Sequence, residues 1–313
     1  MYTFTRISSD LLSELASLMG SAYSVAPSEA ELIEKFSTAG QGASYVGFIA
    51  HHNVTGEVAA FYGVFPVRVK LGGREMLAAQ SGDTVTHPDH RGKGLFITLA
   101  TMTYALAAEC GVAFVFGYPN SSSYPGFVNK LNWSHPFNMK LWSYYVPTFP
   151  LKFIGNYVTF VRRLQLSLFT SLSRKLFDVR MPMELAEDIE SLESTSCVIH
   201  DRVYVMQKRN RGLILCHKSV KFWIKFDGDI CIGTVIDNSN GQDIKSGLRR
   251  LFILSALSGA ARIKTYFSTN SILARQLSGI GFTRDSLAYG FVVLNPKASP
   301  SMLETVYLDY DTF

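Results

Sequence analysis

One stretch of the chain decides its fold: Thr84-Val-Thr-His-Pro-Asp-His-Arg-Gly-Lys-Gly-Leu-Phe96. It joins a strand-like segment, Met76 to Thr86, to a helical segment, Leu95 to Cys110. The two glycines of its Arg-Gly-Lys-Gly turn let the backbone approach a ligand without a Cβ in the way. Unpaired N–H groups and the helix dipole favour a phosphate at the start of the helix, and the arginine and lysine add positive charge. The stretch therefore predicts a site for a diphosphate.

Two common phosphate-binding loops do not fit this turn. A P-loop requires Gly-Lys followed by Ser or Thr, but Lys93 is followed by Gly94, and His87 stands where the first glycine of the loop belongs. A dinucleotide fingerprint requires G-x-G-x-x-G, but Ile97 occupies the position of its last glycine. The turn must therefore bind phosphate through another pattern.

The turn resembles the R/Q-x-x-G-x-G/A motif of the GNAT superfamily of N-acyltransferases. Arg91 and Gly94 match that motif, Phe96 stands where Gly or Ala is usual, and the preceding Val-x-x-Pro-x-x-Arg-Gly-x-Gly run, from Val85, strengthens the resemblance. In that family the turn binds the pyrophosphate of acyl-CoA, so the resemblance implies an acyl-CoA co-substrate. The residues expected to contact it are Thr84, Val85, Thr86, Arg91, Gly92, Lys93, Gly94, Leu95, Phe96 and Asn120.

The elements expected before residue 147 follow the order β-α-α-β-β-β-α-β-α-β, which resembles a GNAT domain. Ser28-Glu-Ala-Glu31 is a capping box that opens the second helix, and Gly72-Gly73 predicts a hairpin turn. Trp133 is expected to begin a strand pair that ends near Tyr145. The resemblance implies an α/β (mixed-sheet α+β) fold that splays open beside the central strand, where free backbone groups hold the pantetheine arm.

The second half of the sequence predicts another α+β unit, with Val203 to Met206 among its strands. Its segment Phe267 to Phe282 repeats the pattern of Phe116 to Trp133: a strand ends near an asparagine (Asn270 or Asn120), a helix follows, and an aromatic residue starts the next strand. This predicts a degenerate GNAT-like domain. It lacks an Arg-x-x-Gly-x-Gly turn, so we expect it to shape the acceptor site without binding CoA. The expected domains are residues 1–147, 148–182 and 183–313.

Residues 151 to 177 connect the halves and are rich in Leu, Phe and Val, with charges that are all basic. One interpretation is an amphipathic helix on an anionic lipid surface. A second, which we favour, is a connecting helix packed between the domains with its basic residues in water, because Arg162-Arg163 interrupts the apolar run. A third is recognition of phosphate by these arginines. We therefore expect no membrane association, and no stretch reaches the roughly 20 apolar residues of a membrane span.

Amide formation from a thioester requires a base for the amine, a donor for the carbonyl oxygen, and departure of the thiolate. The GNAT resemblance assigns the oxygen to a backbone N–H of the central strand, for which Val85 or a neighbour is the candidate. Asp83 on the same strand is the first candidate base. An equally favoured interpretation is that its carboxylate is hydrogen-bonded within the strand, or binds the acceptor's amine or hydroxyl without taking a proton. His87 is a second candidate base, and His51 or His52, at a strand end, could reach the acceptor.

The proton donor to the sulfur is where the sequence departs from the GNAT pattern, because Val128 stands at the position of the usual tyrosine. Tyr124, one helical turn earlier, is the candidate replacement, with Ser122 and Ser123 as alternatives. An acid is dispensable if the thiolate leaves unaided, since a thiol pKa of roughly 8.5 permits this near neutral pH. Asn120 is expected to bind the pantetheine arm or to cap the next helix.

Composition narrows the class of protein. The chain has 313 residues, 47% of them hydrophobic, which suits two domains with sizeable cores. Its net charge of +5 is scattered, so we expect no nucleic-acid partner. The cysteines show no C-x-x-C spacing, and without a signal peptide we expect buried thiols in a cytoplasmic protein. We expect no metal site, because His87-Pro-Asp-His90 lies in the phosphate turn.

Over its full length the chain also resembles bacterial two-part N-acyltransferases of surface-polysaccharide synthesis (O-antigen, lipopolysaccharide). The shared motifs are Thr86 to Phe96, Gly117-Tyr-Pro-Asn120 and the acidic, aromatic tail Leu308 to Phe313. The resemblance implies transfer of an acetyl or 3-hydroxybutanoyl group to the amino group of a dTDP- or UDP-linked amino deoxysugar. Candidates for stacking its base and pairing its diphosphate are Trp133, Trp142, Trp223, Tyr307, Tyr310, Arg209, Arg211, Arg249 and Arg250.

Two other functions stay open at this point. The acceptor could be a peptide, polyamine or aminoglycoside amine, although the excess of Lys and Arg disfavours a cationic substrate. The chain could also bind CoA without turnover, which the missing tyrosine at Val128 favours.

Overall fold

Strands and helices alternate along much of the chain. The computed structural model describes residues 1–23, 26–149, 151–155, 157–185, 195–237, 242–269 and 271–313. Within these ranges the strands are β1 (Tyr2–Arg6), β2 (Val46–His52), β3 (Val58–Leu71), β4 (Arg74–Thr86), β5 (Phe114–Gly117), β6 (Ser134–Tyr145), β7 (Asp178–Arg180), β8 (Cys197–Val198), β9 (Leu213–His217), β10 (Val220–Phe226), β11 (Ile230–Asp237), β12 (Arg262–Phe267) and β13 (Phe282–Val293). The helices are α1 (Leu12–Tyr23), α2 (Glu29–Phe36), α3 (Leu95–Glu109), α4 (Tyr124–Lys130), α5 (Leu151–Gly155), α6 (Thr159–Leu176), α7 (Arg202–Lys208), α8 (Ile244–Leu257) and α9 (Ile272–Gln276).

Several helices and strands begin or end at the residues that the sequence predicts. The Ser28 hydroxyl accepts the Glu31 N–H, and the Glu31 carboxylate accepts the Ser28 N–H at 2.8 Å, which confirms the capping box of α2. Gly72 and Gly73 (φ +55° and +80°) form the turn between β3 and β4, and Gly111 (φ +83°) ends α3. The chain therefore enters β4 and leaves α3 where the sequence indicates.

The first of two compact units, unit 1, comprises Met1–Phe137, Thr195–Ile199 and Leu287–Leu303. Its strand order is β1-β2-β3-β4-β5-β13, with β8 beside β3. The β4–β5 pair is parallel, and the other described pairs are antiparallel. One apolar cluster packs under α3 and α4, and another packs under α1 and α2. β4 is therefore central and covered on both faces.

The second unit, unit 2, comprises Asn138–Ser194, His200–Ser286 and Glu304–Phe313. Its strand order is β6-β12-β11-β10-β9-β7. The β11–β12 pair is parallel, and β6 runs antiparallel to β12. Side chains of α6 and α8 pack with those of the sheet in one core that includes Trp142 and Phe222. No described helix is long and apolar enough to cross a membrane.

The two units repeat one strand plan. In unit 1 the antiparallel pair β3–β4 is followed by the parallel neighbour β5 and the antiparallel neighbour β13. In unit 2 the pair β10–β11 is followed by the parallel neighbour β12 and the antiparallel neighbour β6. The last strands are exchanged in sequence, because β6 comes from the first half of the chain and β13 from the second.

This exchange corrects the predicted strand pair between Trp133 and Tyr145. The segment forms the single strand β6, whose residues Lys140 to Tyr145 pair with β12 in unit 2. The units therefore do not follow the expected boundaries 1–147, 148–182 and 183–313. Backbone hydrogen bonds are alike in every strand, so sequence order does not specify which sheet edge a strand joins.

Two further predictions concern the second half. Val203 to Met206, predicted as a strand, lies in α7, because the Asp201 carboxylate accepts the Tyr204 N–H at 2.9 Å and caps that helix. The connecting segment 151 to 177 forms α5 and α6, and α6 buries Phe169 in the core of unit 2. Asn270, predicted to end a strand, lies outside the described residues.

Candidate functional site

The phosphate turn, Arg91 to Gly94, lies in unit 1 between β4 and α3. Gly92 and Gly94 have φ values of +75° and +77°, which disfavour side chains, and Gly94 is the N-cap of α3. A Cβ at either glycine would meet no atom within 4 Å. Glycine is therefore needed for the backbone conformation, and the space in front of the turn is open to a ligand.

A cavity of about 250 Å³ opens at this turn. Its lining includes Thr86, the whole phosphate turn and the first residues of α3, so most predicted CoA-binding residues meet at one place. Lys130 of α4 also lines it, and the sequence pattern did not single out this cation. The first turn of α3 carries no acidic residue, so its N-terminus remains suited to an anion.

Phe96, which replaces the usual Gly or Ala, has a structural partner in α4. Its ring lies 5.0 Å from the Phe127 ring and 5.9 Å from the Tyr62 ring, measured between centroids. A Cβ at Gly126 would come within 2.7 Å of Phe96 Cε1. Because Gly126 leaves room for the ring, Phe96 packs against α4 while its backbone lies in the first turn of α3.

On the side of β5, the described ladder of the central strand β4 ends well before the strand does. The described β4–β5 ladder pairs only Ala79 with Val115 and Gln80 with Phe116, whereas β4 continues to Thr86. Toward β3 the register shifts so that two residues of β4, Gly82 and Asp83, oppose one residue of β3. This β-bulge re-aims the residues that follow it.

The strand register also distinguishes the N–H groups near the thioester position. The His87 N–H donates to the Ala59 carbonyl of unit 1 at 2.9 Å. Hydrogen bonding alternates along an antiparallel pair, so the Val85 N–H points toward β3 as well. The N–H groups of Thr84 and Thr86 consequently face the other edge of β4, which makes them better oxyanion donors than the Val85 group itself.

Asp83, the first candidate base, forms an ion pair that the sequence does not reveal. Its Oδ1 lies 2.8 Å from Lys35 Nζ of α2, which also lies 4.9 Å from the centre of the Phe65 ring. The Tyr23 hydroxyl donates to the Thr84 carbonyl at 2.9 Å. The ends of α1 and α2 therefore place a phenol and an ammonium beside β4, through contacts between residues far apart in sequence.

His87 and His90 are both turned toward Glu57. His87 Nε2 lies 3.5 Å from one Glu57 oxygen, and His90 Nε2 lies 3.4 Å from the other. Their Nδ1 atoms meet donors, since the Asp89 N–H lies 3.3 Å from His87 Nδ1 and Lys93 Nζ lies 3.4 Å from His90 Nδ1. This pattern favours Nε2–H groups that donate to the carboxylate.

The three side chains of that cluster offer ligand atoms within 4.8 Å of one another, which a metal ion could use. Each Nε2 atom already faces one Glu57 oxygen, to which it can donate a hydrogen bond without a metal ion. We call this arrangement a clamp, because it ties the segment before the phosphate turn to Glu57. The Tyr2 hydroxyl, 2.9 Å from His90 Nδ1, ties the clamp to β1. His51, a candidate for contact with the acceptor, has its Nε2 atom 2.7 Å from Glu14 Oε2.

Tyr124, the candidate acid, begins α4 and has a histidine partner. Its hydroxyl lies 2.8 Å from His135 Nδ1, and the two rings meet edge to face at 5.3 Å. Val128, at the usual tyrosine position, packs against the core cluster under α3 and α4. Asn120 Oδ1 accepts the N–H groups of Ser122 and Ser123, each at 3.0 Å, so this side chain caps the loop that leads into α4.

A buried phenol network supports β4 from the α3 face. The Trp133 indole donates to the Tyr104 hydroxyl at 3.0 Å, which lies 3.2 Å from the Tyr62 hydroxyl, and Tyr62 lies 2.8 Å from Ser81 Oγ. Burial raises the pKa of Tyr62 well above its usual range and that of Tyr104 to about 12. Both phenols therefore stay protonated and hold Ser81, just before the bulge, in place.

The tryptophans proposed to stack a nucleotide base are core residues in the structure. Trp133, Trp142 and Trp223 are buried, and their indole N–H groups donate to the Tyr104 hydroxyl, the Ile280 carbonyl and the Arg211 carbonyl. These three side chains are thus unavailable for stacking, and burial is something that residue type alone does not specify.

A buried amide on β4 escaped the sequence analysis. The Gln80 side chain is buried at the last residue that pairs with β5, and its Nε2 makes no hydrogen bond with any described residue. Buried amide donors normally find a partner, so this group suits a polar atom of a ligand. No motif marks a lone glutamine in a strand.

Comparisons with known proteins bear on this geometry. Residues 3–135 match the family model described as an acetyltransferase (GNAT) domain. No curated protein matches the chain. A GCN5-related N-acetyltransferase from Kribbella flavida is 13% identical, with a TM-score of 0.62 over 94% of this chain and 71% of its own.

Two other solved structures are similar along most of the chain. A GCN5-related N-acetyltransferase from Anabaena variabilis is 13% identical, with a TM-score of 0.60 over 94% of this chain and 73% of its own. A protein from Pyrococcus horikoshii assigned as an acetyltransferase is 11% identical, with a TM-score of 0.57 over 98% and 93%. Identities this low establish a shared fold and nothing more.

Residues 3–135 are therefore a GNAT acetyltransferase domain, which confirms the resemblance inferred from the phosphate turn. A mixed α/β GNAT fold in the N-terminal region continues into further strands in the C-terminal region. A GNAT acetyltransferase domain over residues 3–135 implies acyltransferase activity that uses acyl-CoA as its co-substrate. The acceptor is not identified by these similarities.

Proposed function

We propose that the chain moves an acyl group, acetyl or 3-hydroxybutanoyl, from acyl-CoA to the amino group of a nucleotide-linked amino deoxysugar. The observation that carries the acyl-CoA part is the meeting of two features at the end of β4. One is the left-handed glycine turn that opens the N-terminus of α3, and the other is a strand edge whose described ladder with β5 ends at Gln80. A diphosphate fits the first, and the amide-bearing arm of the cofactor fits the second.

The proposed chemistry uses residues on or beside β4. The phosphate turn and Lys130 hold the pyrophosphate of acyl-CoA, and the N–H of Thr86 or Thr84 donates to the thioester oxygen as negative charge develops there. Asp83 binds the acceptor amine, in exchange with Lys35, and takes its proton as the C–N bond forms. The C–S bond then breaks and the CoA thiolate leaves.

Tyr124 is the proposed proton donor to that thiolate, with His135 as the group that orients its hydroxyl. Replacing Tyr124 with Phe should lower kcat about tenfold and leave the KM for acyl-CoA unchanged, because the phenol contributes only when the thiolate leaves. Unaltered kcat would instead mean that the thiolate departs without a protein acid, which its ordinary acidity permits.

Three observations support a sugar nucleotide over a polyamine as the acceptor. The motifs Thr86 to Phe96, Gly117 to Asn120 and the aromatic tail resemble those of surface-polysaccharide N-acyltransferases. The net charge of +5 suits an anionic substrate. The Gln80 amide is a buried donor, which suits a hydroxyl or carbonyl oxygen of a sugar or base, whereas a protonated polyamine offers only donors.

The second half of the sequence is proposed to be a degenerate GNAT-like half that binds no CoA. Unit 2, which contains most of this half, repeats the strand plan of unit 1, and the second half lacks the Arg-x-x-Gly-x-Gly turn. We also propose that it contributes to recognition of the acceptor, as first expected for residues 183–313.

The test is release of free thiol from acetyl-CoA or 3-hydroxybutanoyl-CoA with a panel of dTDP- and UDP-linked amino sugars, beside spermidine and a lysine peptide. Release with a nucleotide sugar alone, and a product heavier by one acyl group, is the expected result. Release with spermidine or the peptide alone would assign a different acceptor class. Binding of acyl-CoA with no release on any acceptor would contradict the proposed transfer to these sugars.

A further inference from the structure

Four aromatic side chains on and beside α5 and α6 project into solvent. Phe149, Phe153, Tyr157 and Phe160 are 66%, 67%, 80% and 72% exposed. Elsewhere in the described chain the strongly exposed aromatic residues are scattered singly, at Tyr23, Tyr145 and Phe282. We call the four clustered side chains the aromatic ridge. A concentration of exposed apolar groups of this kind marks an interaction surface.

The backbone beneath the ridge is firmly attached to unit 2. Lys152 Nζ lies 3.0 Å from Asp227 Oδ1 and 2.9 Å from Asp229 Oδ2, on the turn between β10 and β11. The Leu151 side chain packs against Gly259, at the end of α8. On α6, Phe169 is buried in the core. The helices are therefore anchored by one face, and the aromatic side chains are left on the other.

The charge of this segment has one sign. No Asp or Glu occurs from Pro147 to Phe177. The exposed side chains of Arg162, Arg163 and Arg174 form no ion pair within the described ranges, in contrast to the paired Lys152. At 3.6 residues per turn, Phe160, Arg163 and Arg174 share the face of α6 opposite Phe169. One ring of the ridge, that of Phe160, thus shares an exposed face of α6 with two arginines that form no ion pair there.

We propose that the aromatic ridge docks the protein on an anionic lipid surface, with its rings between the headgroups and the arginines paired with lipid phosphates. Aromatic rings and basic residues on one helical face are the signature of an interfacial helix. The absence of any acidic side chain in the segment argues against a protein partner of mixed charge. The segment lies in the surface plane, since no described helix can span a bilayer.

This inference replaces the expectation of a connecting helix packed between the domains with its basic residues in water, because the aromatic side chains are exposed as well. The sequence shows apolar residues interrupted by Arg162-Arg163, which a packed helix and an interfacial helix share. Only the structure shows that Phe153 and Phe160 point away from the core while Phe169 points into it. The proposal does not depend on which acceptor is used, because the residues proposed to carry the acyl-transfer chemistry lie in unit 1 and none belongs to the ridge.

Flotation of the full-length protein with lipid vesicles tests the proposal. We expect the protein to float with vesicles containing phosphatidylglycerol, to stay in solution with phosphatidylcholine alone, and to be released by salt. The double substitution Arg163→Gln and Arg174→Gln should weaken partitioning about 25-fold, at about fivefold for each charge. The double substitution Phe153→Ser and Phe160→Ser should weaken it at least tenfold.

Phe282→Ser is the matched control, because this residue of β13 is as exposed as Phe160, at 72%, and lies outside the ridge. It should bind vesicles like the unaltered protein. All variants should keep the unaltered melting temperature and thiol release, which separates lipid binding from folding and from catalysis. Failure to float with anionic vesicles, or equal loss of binding in the control, would overturn the proposal. So would concentration-dependent self-association that only the ridge variants abolish, since the ridge would then be a protein interface.

Discussion

Units 1 and 2 each contain two parallel strands that pair over a short ladder, and the described residues beyond these ladders differ. A cavity lined by Thr86 of β4 opens in unit 1, whereas a segment of the chain lies beyond the ladder in unit 2. In unit 1, β4 and β5 pair at Ala79 and Gln80. In unit 2, β11 and β12 pair at Ile230 and Cys231. Each central strand also carries a bulge just beyond, at Gly82-Asp83 in β4 and at Gly233 in β11. One architecture therefore serves two purposes, and the difference lies in what occupies the gap.

The gap of unit 2 is filled by the C-terminal tail of the chain itself. Val306 bridges to Phe267 at the end of β12, and the Phe313 ring packs so closely on Gly233 that a Cβ there would lie 2.5 Å from Phe313 Cζ. The Arg211 guanidinium donates to the carbonyls of Asp311 and Phe313 and holds the tail. A segment of protein thus occupies the place where unit 1 leaves space for a ligand.

The helices that follow the two central strands, α3 and α8, differ in the charge at their N-termini. Gly94 is the N-cap of α3, which has no acid in its first turn. Asp243 is the N-cap of α8, and its carboxylate accepts hydrogen bonds from Ser219 at 2.8 Å and Lys218 at 3.1 Å, which lower its pKa. A fixed carboxylate beside the N-terminus of α8 repels phosphate, so unit 2 is unsuited to CoA in charge as well as in space.

The largest effect that would sharpen this comparison is expected at the bulge of β4. Asp83→Asn should lower kcat by about a hundred- to ten-thousandfold, because an amide cannot accept the amine proton. The measurement is thiol release at saturating acyl-CoA. Asp89→Asn, in the turn just beyond β4, removes an exposed carboxylate and should leave kcat unchanged. Full activity in the Asp83 variant would assign that carboxylate to its ion pair with Lys35 alone.

The second-largest effect is expected from Phe313, whose ring packs in the gap of unit 2. Phe313→Ala should lower the free energy of unfolding by about 3–5 kcal/mol, because a fully buried ring would leave a cavity against Gly233. Urea denaturation measures this change. The KM for acyl-CoA of the folded fraction should stay the same, and a changed KM would mean that the tail also acts on unit 1.

A smaller effect is expected at the turn that opens α3. Gly94→Ala should raise the KM for acyl-CoA about tenfold, since alanine strains the left-handed backbone and intrudes where the ligand approaches. Gly72→Ala is the matched control, because Gly72 is also left-handed (φ +55°) and a Cβ there would meet no atom within 4 Å, but it lies in the β3–β4 hairpin. We expect both substitutions to change stability equally, and only Gly94→Ala to change the KM for acyl-CoA. If the two variants have the same KM, the phosphate turn does not bind acyl-CoA.

The smallest effect concerns the ion cluster that anchors α5 to unit 2. Burial alone would raise the pKa of Asp227, but Lys264, the Asp229 N–H and Lys152 outweigh it and lower the pKa from 3.8 to about 2. This carboxylate therefore stabilises the fold above about pH 4, and the contribution is lost as the pH falls through about 2. Because the side chain is partly exposed, Asp227→Asn should cost about 1 kcal/mol at pH 6.

Urea denaturation between pH 6 and pH 2 measures that contribution, and the difference between Asp227→Asn and the unaltered protein should vanish near the lower end. Asp285→Asn removes the partner of Lys140 in a more exposed pair and should change stability by less than about 0.5 kcal/mol. A difference that persists at pH 2 would mean that Asp227 acts through packing and not through charge.

The sequence by itself determined the parts of the molecule that depend on neighbouring residues. Glycines in the left-handed region, the Ser28 capping box and the strand–turn–helix order around Arg91 are local, and they were sufficient to predict the acyl-CoA turn and the GNAT domain. The site residues Thr86 and Arg91 to Phe96 line one cavity for the same reason.

Only the tertiary structure decided which groups meet across the chain. It paired Asp83 with Lys35, exchanged β6 and β13 between the units, buried three tryptophans, and laid the tail into the gap of unit 2. It also left Phe153 and Phe160 in solvent. These features arise from contacts between segments that are distant in sequence. A buried and an exposed aromatic residue look the same in a sequence, and so do a paired and an unpaired charge. Tertiary packing therefore decides between them.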